Sequence, residues 1–108
     1  MEIEITFPGG LEVDANLGGM IIPTNQDGTA PTPFALFLAS IGTCAGIYVL
    51  NFCKQRGLPT ENIRIVQRMQ TNPFTRMVEK VELDIQVPPT FPEKYKAAVI
   101  RAADQCAV

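Results

Sequence analysis

The longest apolar run of the chain lies between residues 34 and 53 and predicts a single long helix. These 20 positions contain no charged residue. Thr32 can cap the N-terminus, Pro33 suits the first turn, and Gly57 suits the position just after the last turn. The run therefore predicts a helix of roughly 24 residues, about 36 Å long at 1.5 Å per residue. Because its apolar residues occupy every side, this helix must be buried all round or lie in a membrane.

Alternating apolar and polar positions predict β-strands on both sides of this helix. In chain order the predicted strands are 2–7, 11–16, 20–22, 63–70 and 77–87. A second helix is predicted from Thr90 onwards. Its apolar residues at helical spacing are Tyr95, Ala98, Val99, Ala102 and Cys106. The resulting order of three strands, a helix, two strands and a helix is an α+β plan.

The uncharged run also has the length of a transmembrane helix, and Gly42 and Gly46 have the spacing of a motif that pairs such helices. The amphipathic strands favour a soluble protein instead, because their apolar faces need a surface to cover. Ser40, Thr43 and Asn51 also disfavour a lipid-facing segment. One thin sheet covers one side of a helix. We therefore expect an obligate homodimer in which two long helices pack together, with the glycines allowing a close approach.

Composition narrows the possible functions. The 108 residues suffice for one domain, and a net charge of −2 without a clustered basic surface argues against nucleic-acid binding. The chain has no histidine, which excludes Cys-His and Ser-His-Asp catalysis and the usual Cys/His zinc sites. We therefore expect neither a metal nor a cofactor. Three cysteines and an acidic start without a signal peptide predict a cytoplasmic protein.

The positions of the cysteines suggest a redox function. Cys44 lies near the middle of the long helix, where a lone cysteine ordinarily acts as a small hydrophobic residue. Cys106 falls on the inward face of the second predicted helix, so these two thiols could meet. Cys53 follows Cys44 by nine residues and points to the opposite side of the helix, as a packing residue would. A reactive cysteine with a distant resolving partner is the minimum equipment of a thiol peroxidase.

Several motifs of the chain resemble those of the OsmC/Ohr family. They are Phe7-Pro8-Gly9-Gly10, Pro31-Thr32-Pro33-Phe34, Gly42-Thr43-Cys44-Ala45-Gly46, residues 52–59 and residues 103–108. The resemblance covers nearly the whole chain, as one OsmC-like domain over residues 1–108. It implies antiparallel sheets wrapped around long central helices in an intertwined homodimer. It also implies reduction of organic hydroperoxides in oxidative-stress defence, by a peroxidatic Cys44 and a resolving Cys106, with a dithiol as reductant.

The chain departs from the family pattern around the reactive cysteine. The family's peroxidases carry a glutamate ten residues before that cysteine, which orients an arginine from the N-terminal region. Here Phe34 stands in that place, and no cation precedes Lys54. A thiol needs a nearby cation or a helix N-terminus to become a thiolate at neutral pH. A helix break at Gly42-Thr43 would place Cys44 at a helix N-terminus. The candidate cations are Arg56, Arg64, Arg68 and Arg76.

Two other functions stay open. The first is a non-catalytic OsmC-like dimer that binds a small apolar ligand at its interface. The second is a general thiol–disulfide oxidoreductase, although the chain lacks the Cys-x-x-Cys motif of that class. The chain also ends just after Cys106, where relatives usually add another strand.

Overall fold

The computed structural model describes residues 1–104, and its elements follow the predicted order. The strands and helices are β1 (Ile3–Gly9), β2 (Glu12–Leu17), β3 (Met20–Asn25), α1 (Pro33–Gln55), β4 (Arg64–Thr71), β5 (Val78–Gln86) and α2 (Lys96–Ala103). A short 3₁₀ turn, Glu93–Tyr95, leads into α2. The predicted α+β plan is thus confirmed. The chain divides into two compact units, residues 1–39 and 40–108, and that residues 1–108 act as one domain stays a prediction.

The first unit contains a three-stranded antiparallel sheet in the order β1-β2-β3. Ile3 pairs with Leu17 and Ile5 with Ala15, so the predicted apolar face exists. β3 is three residues longer than predicted, because Thr24 Oγ1 donates a hydrogen bond to the Val13 carbonyl and holds the strand end against β2. Ile3 and Ile5 are each at least half exposed. The described chain therefore leaves this apolar face largely open to solvent.

Both predicted ends of α1 are confirmed. Thr32 Oγ1 accepts a hydrogen bond from the Ala35 N–H at 3.2 Å, as an N-cap does. At the other end the N–H of Gly57 donates to the Lys54 carbonyl at 3.3 Å and the N–H of Leu58 to the Cys53 carbonyl at 2.9 Å. These two hydrogen bonds are the pattern of a Schellman motif, and Gly57 supplies the positive φ of 64° that the motif requires.

The second unit has its core between the later part of α1, the β4–β5 hairpin and α2. Its buried apolar residues are Ala45, Val49, Phe52, Cys53, Phe91, Val99 and Ala103. The hairpin pairs Ile65 with Ile85 and Gln67 with Leu83. Ile65, Leu83 and Ile85 pack against this core. The hairpin thus presents one apolar face to α1, as its alternation predicts.

The chain itself buries α1 along one stripe only, and all-round burial, which the sequence predicts through a homodimer, stays a prediction. Ala45 is fully buried, whereas Ile47 is 57% and Leu50 47% exposed on the opposite side. By length and composition α1 could cross a membrane. Core helices of soluble proteins meet the same criterion. The described chain therefore leaves one side of α1 exposed.

The two glycines of α1 face the chain's own hairpin. A Cβ at Gly42 would overlap the side-chain oxygen of Gln67, and one at Gly46 would lie 3.9 Å from Ile65 Cδ1. Both contacts are with β4. The glycine spacing, predicted to bring two helices together, therefore serves here to bring α1 close to a sheet.

Candidate functional site

Cys44 lies half-buried on one flank of α1, beside the buried stripe. The helix runs unbroken through Gly42 and Thr43, as the prediction of one long helix requires, so Cys44 does not lie at a helix N-terminus. Residues four and seven positions further on share its flank, since a helix turns once in 3.6 residues. These are Tyr48 and Asn51.

The second helix packs in the same core as α1. The Tyr95 ring, just before α2, meets the Phe52 ring edge-on at 5.8 Å between centroids. Ala102, near the end of α2, lines a cavity together with Tyr48, which follows Cys44 by one helical turn. Cys106 lies outside the described residues, and its pairing with Cys44 stays a prediction.

Cys53 has the packing role that its spacing predicts. It is fully buried in the core on the side of α1 away from Cys44. Burial raises the pKa of the Cys53 thiol, and the positive charge of Arg56 offsets part of this rise. A buried thiol with a raised pKa is a poor nucleophile. Cys53 is therefore a structural residue.

Arg56 is held against the end of α1. Its guanidinium lies 3.7 Å from the centre of the Phe52 ring, and its Nη1 donates a hydrogen bond to the Phe52 carbonyl at 3.1 Å. Arg56 follows Cys44 by twelve positions, about 18 Å along the helix axis. Even with its side chain folded back over Phe52, it lies well beyond contact distance of the Cys44 sulfur.

The other three candidate arginines belong to the β4–β5 hairpin. Arg64 donates a hydrogen bond to the side chain of Gln86 at 2.9 Å, and Arg68 forms a salt bridge with Asp84 at 3.5 Å. Arg76 lies in the turn between the two strands and has a φ of 60°. Phe34, which stands where relatives carry the glutamate, stacks on Phe37 at 6.1 Å between ring centroids. Phe34 thus makes an aromatic contact where the family's peroxidases carry a carboxylate.

Two cavities flank α1 in the second unit. An apolar groove of about 240 Å³ is lined by Gly46, Val49, Leu50, Thr60, Ile63 and Ile65. A more polar cavity of about 330 Å³ is lined by Tyr48, Asn51, Phe52, Gln55, Arg56 and Ala102. Among residues 1–104 no cluster of three or more His, Cys, Asp or Glu side chains is placed to hold a metal ion.

The polar cavity contains the residues that sequence reasoning missed. Tyr48, Asn51 and Gln55 follow Cys44 at intervals of four, three and four residues, which places all of them on one flank. That spacing was readable from the sequence, but the participation of Arg56 and Ala102 depends on how α2 docks. The chemistry available in this cavity is therefore hydrogen bonding together with one positive charge.

The mixed arrangement of antiparallel sheets and helices can now be compared with known proteins. A family model described as OsmC-like protein matches residues 26–108, more than three quarters of the chain. The chain belongs to the OsmC-like protein family. A comparison with curated protein sequences found no match.

Solved structures share the OsmC-like fold at low sequence identity. A Psychrobacter arcticus protein, named for osmotic stress induction and a detoxification response, has a TM-score of 0.78 at 17% identity, over 97% of this chain and 82% of its own. A hypothetical protein from Aquifex aeolicus has a TM-score of 0.71 at 19% identity, over 98% and 81%. The organic hydroperoxide resistance protein OhrB of Bacillus subtilis has a TM-score of 0.54 at 17% identity, over 99% and 87%. At such identities the likeness concerns the fold.

Proposed function

We propose that this OsmC-like protein is a homodimeric thiol peroxidase that reduces organic hydroperoxides, with Cys44 as the peroxidatic and Cys106 as the resolving cysteine. The observation that carries the proposal is that α2 shares a cavity with α1 close to Cys44. Ala102 of α2 lines this cavity together with Tyr48, one helical turn after Cys44, and Cys106 follows Ala102 by four positions in the sequence. The name of the hydroperoxide resistance protein with a similar fold supports the same substrate class.

The reaction consists of three balanced steps. The Cys44 thiolate attacks one oxygen of the O–O bond, which gives a sulfenic acid on Cys44 and an alkoxide that takes up a proton as the alcohol. The Cys106 thiol then displaces water from the sulfenic acid and forms a disulfide. A dithiol reductant transfers two electrons and two protons, restores both thiols and leaves as its own disulfide. The peroxide is thereby reduced and the dithiol oxidised.

The homodimer is supported by apolar surface that the described chain leaves exposed. Ile47 and Leu50 form the outer stripe of α1, and Ile3, Ile5 and Met20 add exposed apolar area on the first sheet. Exposed apolar area of this extent on a soluble protein marks an interaction surface. A second copy of the chain exposes the same apolar surfaces, so the two copies can cover each other in a symmetric dimer. We place this dimer in the cytoplasm, where its thiols stay reduced.

A homodimer cannot restore the family's activating arginine. Residues 1–53 contain no Lys or Arg, and the partner has the same sequence. A cation beside Cys44 must therefore come from residues 54–108 of one copy or the other. This protein would then activate its thiol differently from the hydroperoxide-reducing members of its family.

Oxidation mapping tests the proposal directly. The fully reduced protein is mixed with cumene hydroperoxide at about one equivalent, quenched within seconds by alkylation, and its cysteines are assigned by mass spectrometry. We expect a Cys44–Cys106 disulfide in the wild type and in Cys53→Ser, the control for a buried thiol. Cys44→Ser should abolish peroxide consumption, and Cys106→Ser should leave a sulfenic acid on Cys44 that dimedone captures. If all three thiols stay reduced, or if Cys53 oxidises as fast as Cys44, the proposal is wrong.

The apolar groove favours a second candidate function, the binding of a small apolar ligand by a non-catalytic dimer. Its floor is formed by Gly46 and Val49 and its walls by Leu50, Ile63 and Ile65. We would test it with toluene, followed by NMR, and with Gly46→Leu, which places a side chain in the groove. Saturable binding that Gly46→Leu removes, in a protein that consumes no hydroperoxide, would favour this function over the peroxidase.

A further inference from the structure

A line of polar side chains follows one flank of an otherwise apolar helix. The line consists of Ser40, Cys44, Tyr48, Asn51 and Gln55, which recur every three or four residues. The remaining uncharged surface of α1 is mostly aliphatic or aromatic. This flank is therefore the part of α1 that can bind a ligand through hydrogen bonds.

The later part of this line opens into the polar cavity of about 330 Å³. That volume is at the small end of ligand-binding sites, so the cavity suits a small molecule. Within residues 1–104 the side chains of Tyr48, Asn51 and Gln55 make no hydrogen bond to another protein group. Phe52 and Ala102 add an apolar wall. The cavity thus combines unused donors and acceptors with a surface for a hydrocarbon group.

Arg56 supplies a positive charge whose position is already fixed. The guanidinium stacks 3.7 Å from the Phe52 ring centre and 5.5 Å from that of Tyr95. Its bond to the Phe52 carbonyl uses one of five N–H groups. The salt bridges within residues 1–104 are Arg68–Asp84 and Lys96–Glu93, so Arg56 pairs with no carboxylate there. A fixed guanidinium loses little freedom when it binds an anion.

The charges around the cavity also favour an anion. Lys94 lies 5.0 Å from the centre of the Tyr95 ring, and Arg101 precedes Ala102 in α2. The nearby acid Glu93 is already paired with Lys96 at 2.8 Å. Asp104 is the remaining acid at this end of α2. Arg56 is the charged residue among those that line the cavity, and its charge is positive.

We infer that the polar cavity between α1 and α2 binds a small organic carboxylate, held by the fork of Arg56 and by the side chains of Asn51 and Tyr48. A carboxylate accepts two parallel N–H bonds from a guanidinium, and the amide and hydroxyl groups can bind its remaining polar atoms. The hydrocarbon part of the ligand packs on Phe52 and Ala102. This site is separate from the peroxidase chemistry, and its binding does not depend on a reactive Cys44.

Benzoate and its neutral counterpart benzamide are the probes, added to the ¹⁵N-labelled full-length protein and followed by NMR. We expect saturable shifts of the side-chain NH₂ groups of Asn51 and Gln55 with benzoate and no saturation with benzamide. Arg56→Gln should weaken benzoate binding by about tenfold or more, since it removes a charged bidentate contact. Arg64→Gln removes an equal charge at an exposed site in the hairpin and should change the affinity by less than about twofold.

Three results would overturn the inference: benzoate without saturable shifts at Asn51 and Gln55, benzamide binding as tightly as benzoate, or equal benzoate affinity of Arg56→Gln and the wild type. Arg56→Lys keeps the charge but loses the planar fork, so it should bind benzoate more weakly than the wild type. If Arg56→Gln unfolds because it loses the stacking on Phe52, Arg56→Lys is used in its place to test the inference. The shifts in the wild type locate the site without any substitution.

Discussion

Replacing Gly46 by Ala should stabilise the protein. A glycine in the interior of a helix costs about 1 kcal/mol relative to alanine, because it loses more backbone freedom on folding. A Cβ at Gly46 meets Ile65 Cδ1 at 3.9 Å, an ordinary van der Waals contact, and no closer side chain within the described chain. The gain is therefore not cancelled by a clash. We expect Gly46→Ala to raise the free energy of unfolding by about 1 kcal/mol, or the melting temperature by about 4 °C.

Gly42→Ala is the matched control for this substitution. It offers the same gain in helix propensity, but its Cβ would overlap the side-chain oxygen of Gln67, whose Cδ lies 3.6 Å away. The end of the Gln67 side chain must then move, so Gly42→Ala should stabilise the wild type less than Gly46→Ala does and should give a gain of about 1 kcal/mol in a Gln67→Ala background.

The free energies of unfolding of Gly46→Ala, Gly42→Ala, Gln67→Ala and the double variant of Gly42 and Gln67 are measured by urea unfolding. The protein concentration is kept the same throughout, because the stability of a dimer depends on it. If Gly46→Ala destabilises the protein, a surface outside the described chain packs on Gly46. The assignment of both glycines to the close approach of β4 would then be wrong.

Three further substitutions test the ends of α1 and the first sheet. Thr32→Ala should lower the free energy of unfolding in urea by about 1 kcal/mol, since it leaves the Ala35 N–H without its cap. Thr29→Ala leaves that cap intact and is the control, and equal losses of stability in the two variants would contradict the capping role. Gly57→Ala should cost about 1 kcal/mol by the same assay, because alanine is strained at a φ of 64°, and a neutral result would contradict the Schellman end. The pKa of Glu12 is raised in the folded protein, first by a side-chain hydrogen bond with Asp14 and then by the negative charge of Asp14. Protonated Glu12 therefore stabilises the folded state below pH 4.5, and this contribution is lost as the pH rises through the folded-state pKa. Glu12→Gln should therefore stabilise the protein more at pH 7 than at pH 4 in urea unfolding, and identical gains at both pH values would contradict this reasoning.

The sequence predicted local structure well because each element is specified by nearby residues. Thr32, Pro33 and Gly57 fix the ends of α1 through hydrogen bonds within a few positions, and all of these are as predicted. The alternation of Ile3 and Ile5 with polar residues likewise determines β1 and its pairing. Such signals do not require knowledge of the tertiary structure.

Predictions that depended on tertiary contacts were less accurate. The glycine spacing of α1 fits both a helix partner and a sheet partner, and the choice of β4 depends on Gln67 and Ile65, which are distant in sequence. Whether a helix breaks at Gly42-Thr43 also depends on packing, and here the helix is continuous, with Ala45 and Val49 buried just after these residues. The polar cavity was missed because Arg56 joins it by stacking on Phe52 and Tyr95, which no local spacing reveals.

The proposed thiol chemistry also predicts that the reactivity of Cys44 depends on the dimer. Within one chain Arg56 lies about 18 Å along the helix from Cys44, and we expect a cation from residues 54–108 of a second copy to activate the thiol. Ile47→Lys places a charge on the exposed stripe of α1 without touching the core, and we expect it to give a monomer by light scattering. Its Cys44 should react with iodoacetamide at least about tenfold more slowly than in the dimeric wild type, as expected for a thiol without a stabilising cation. Phe74→Lys, at a 94% exposed position of the hairpin turn, is the control and should remain dimeric and reactive. A folded Ile47→Lys monomer whose Cys44 reacts as fast as the wild type would show that the chain activates its own thiol.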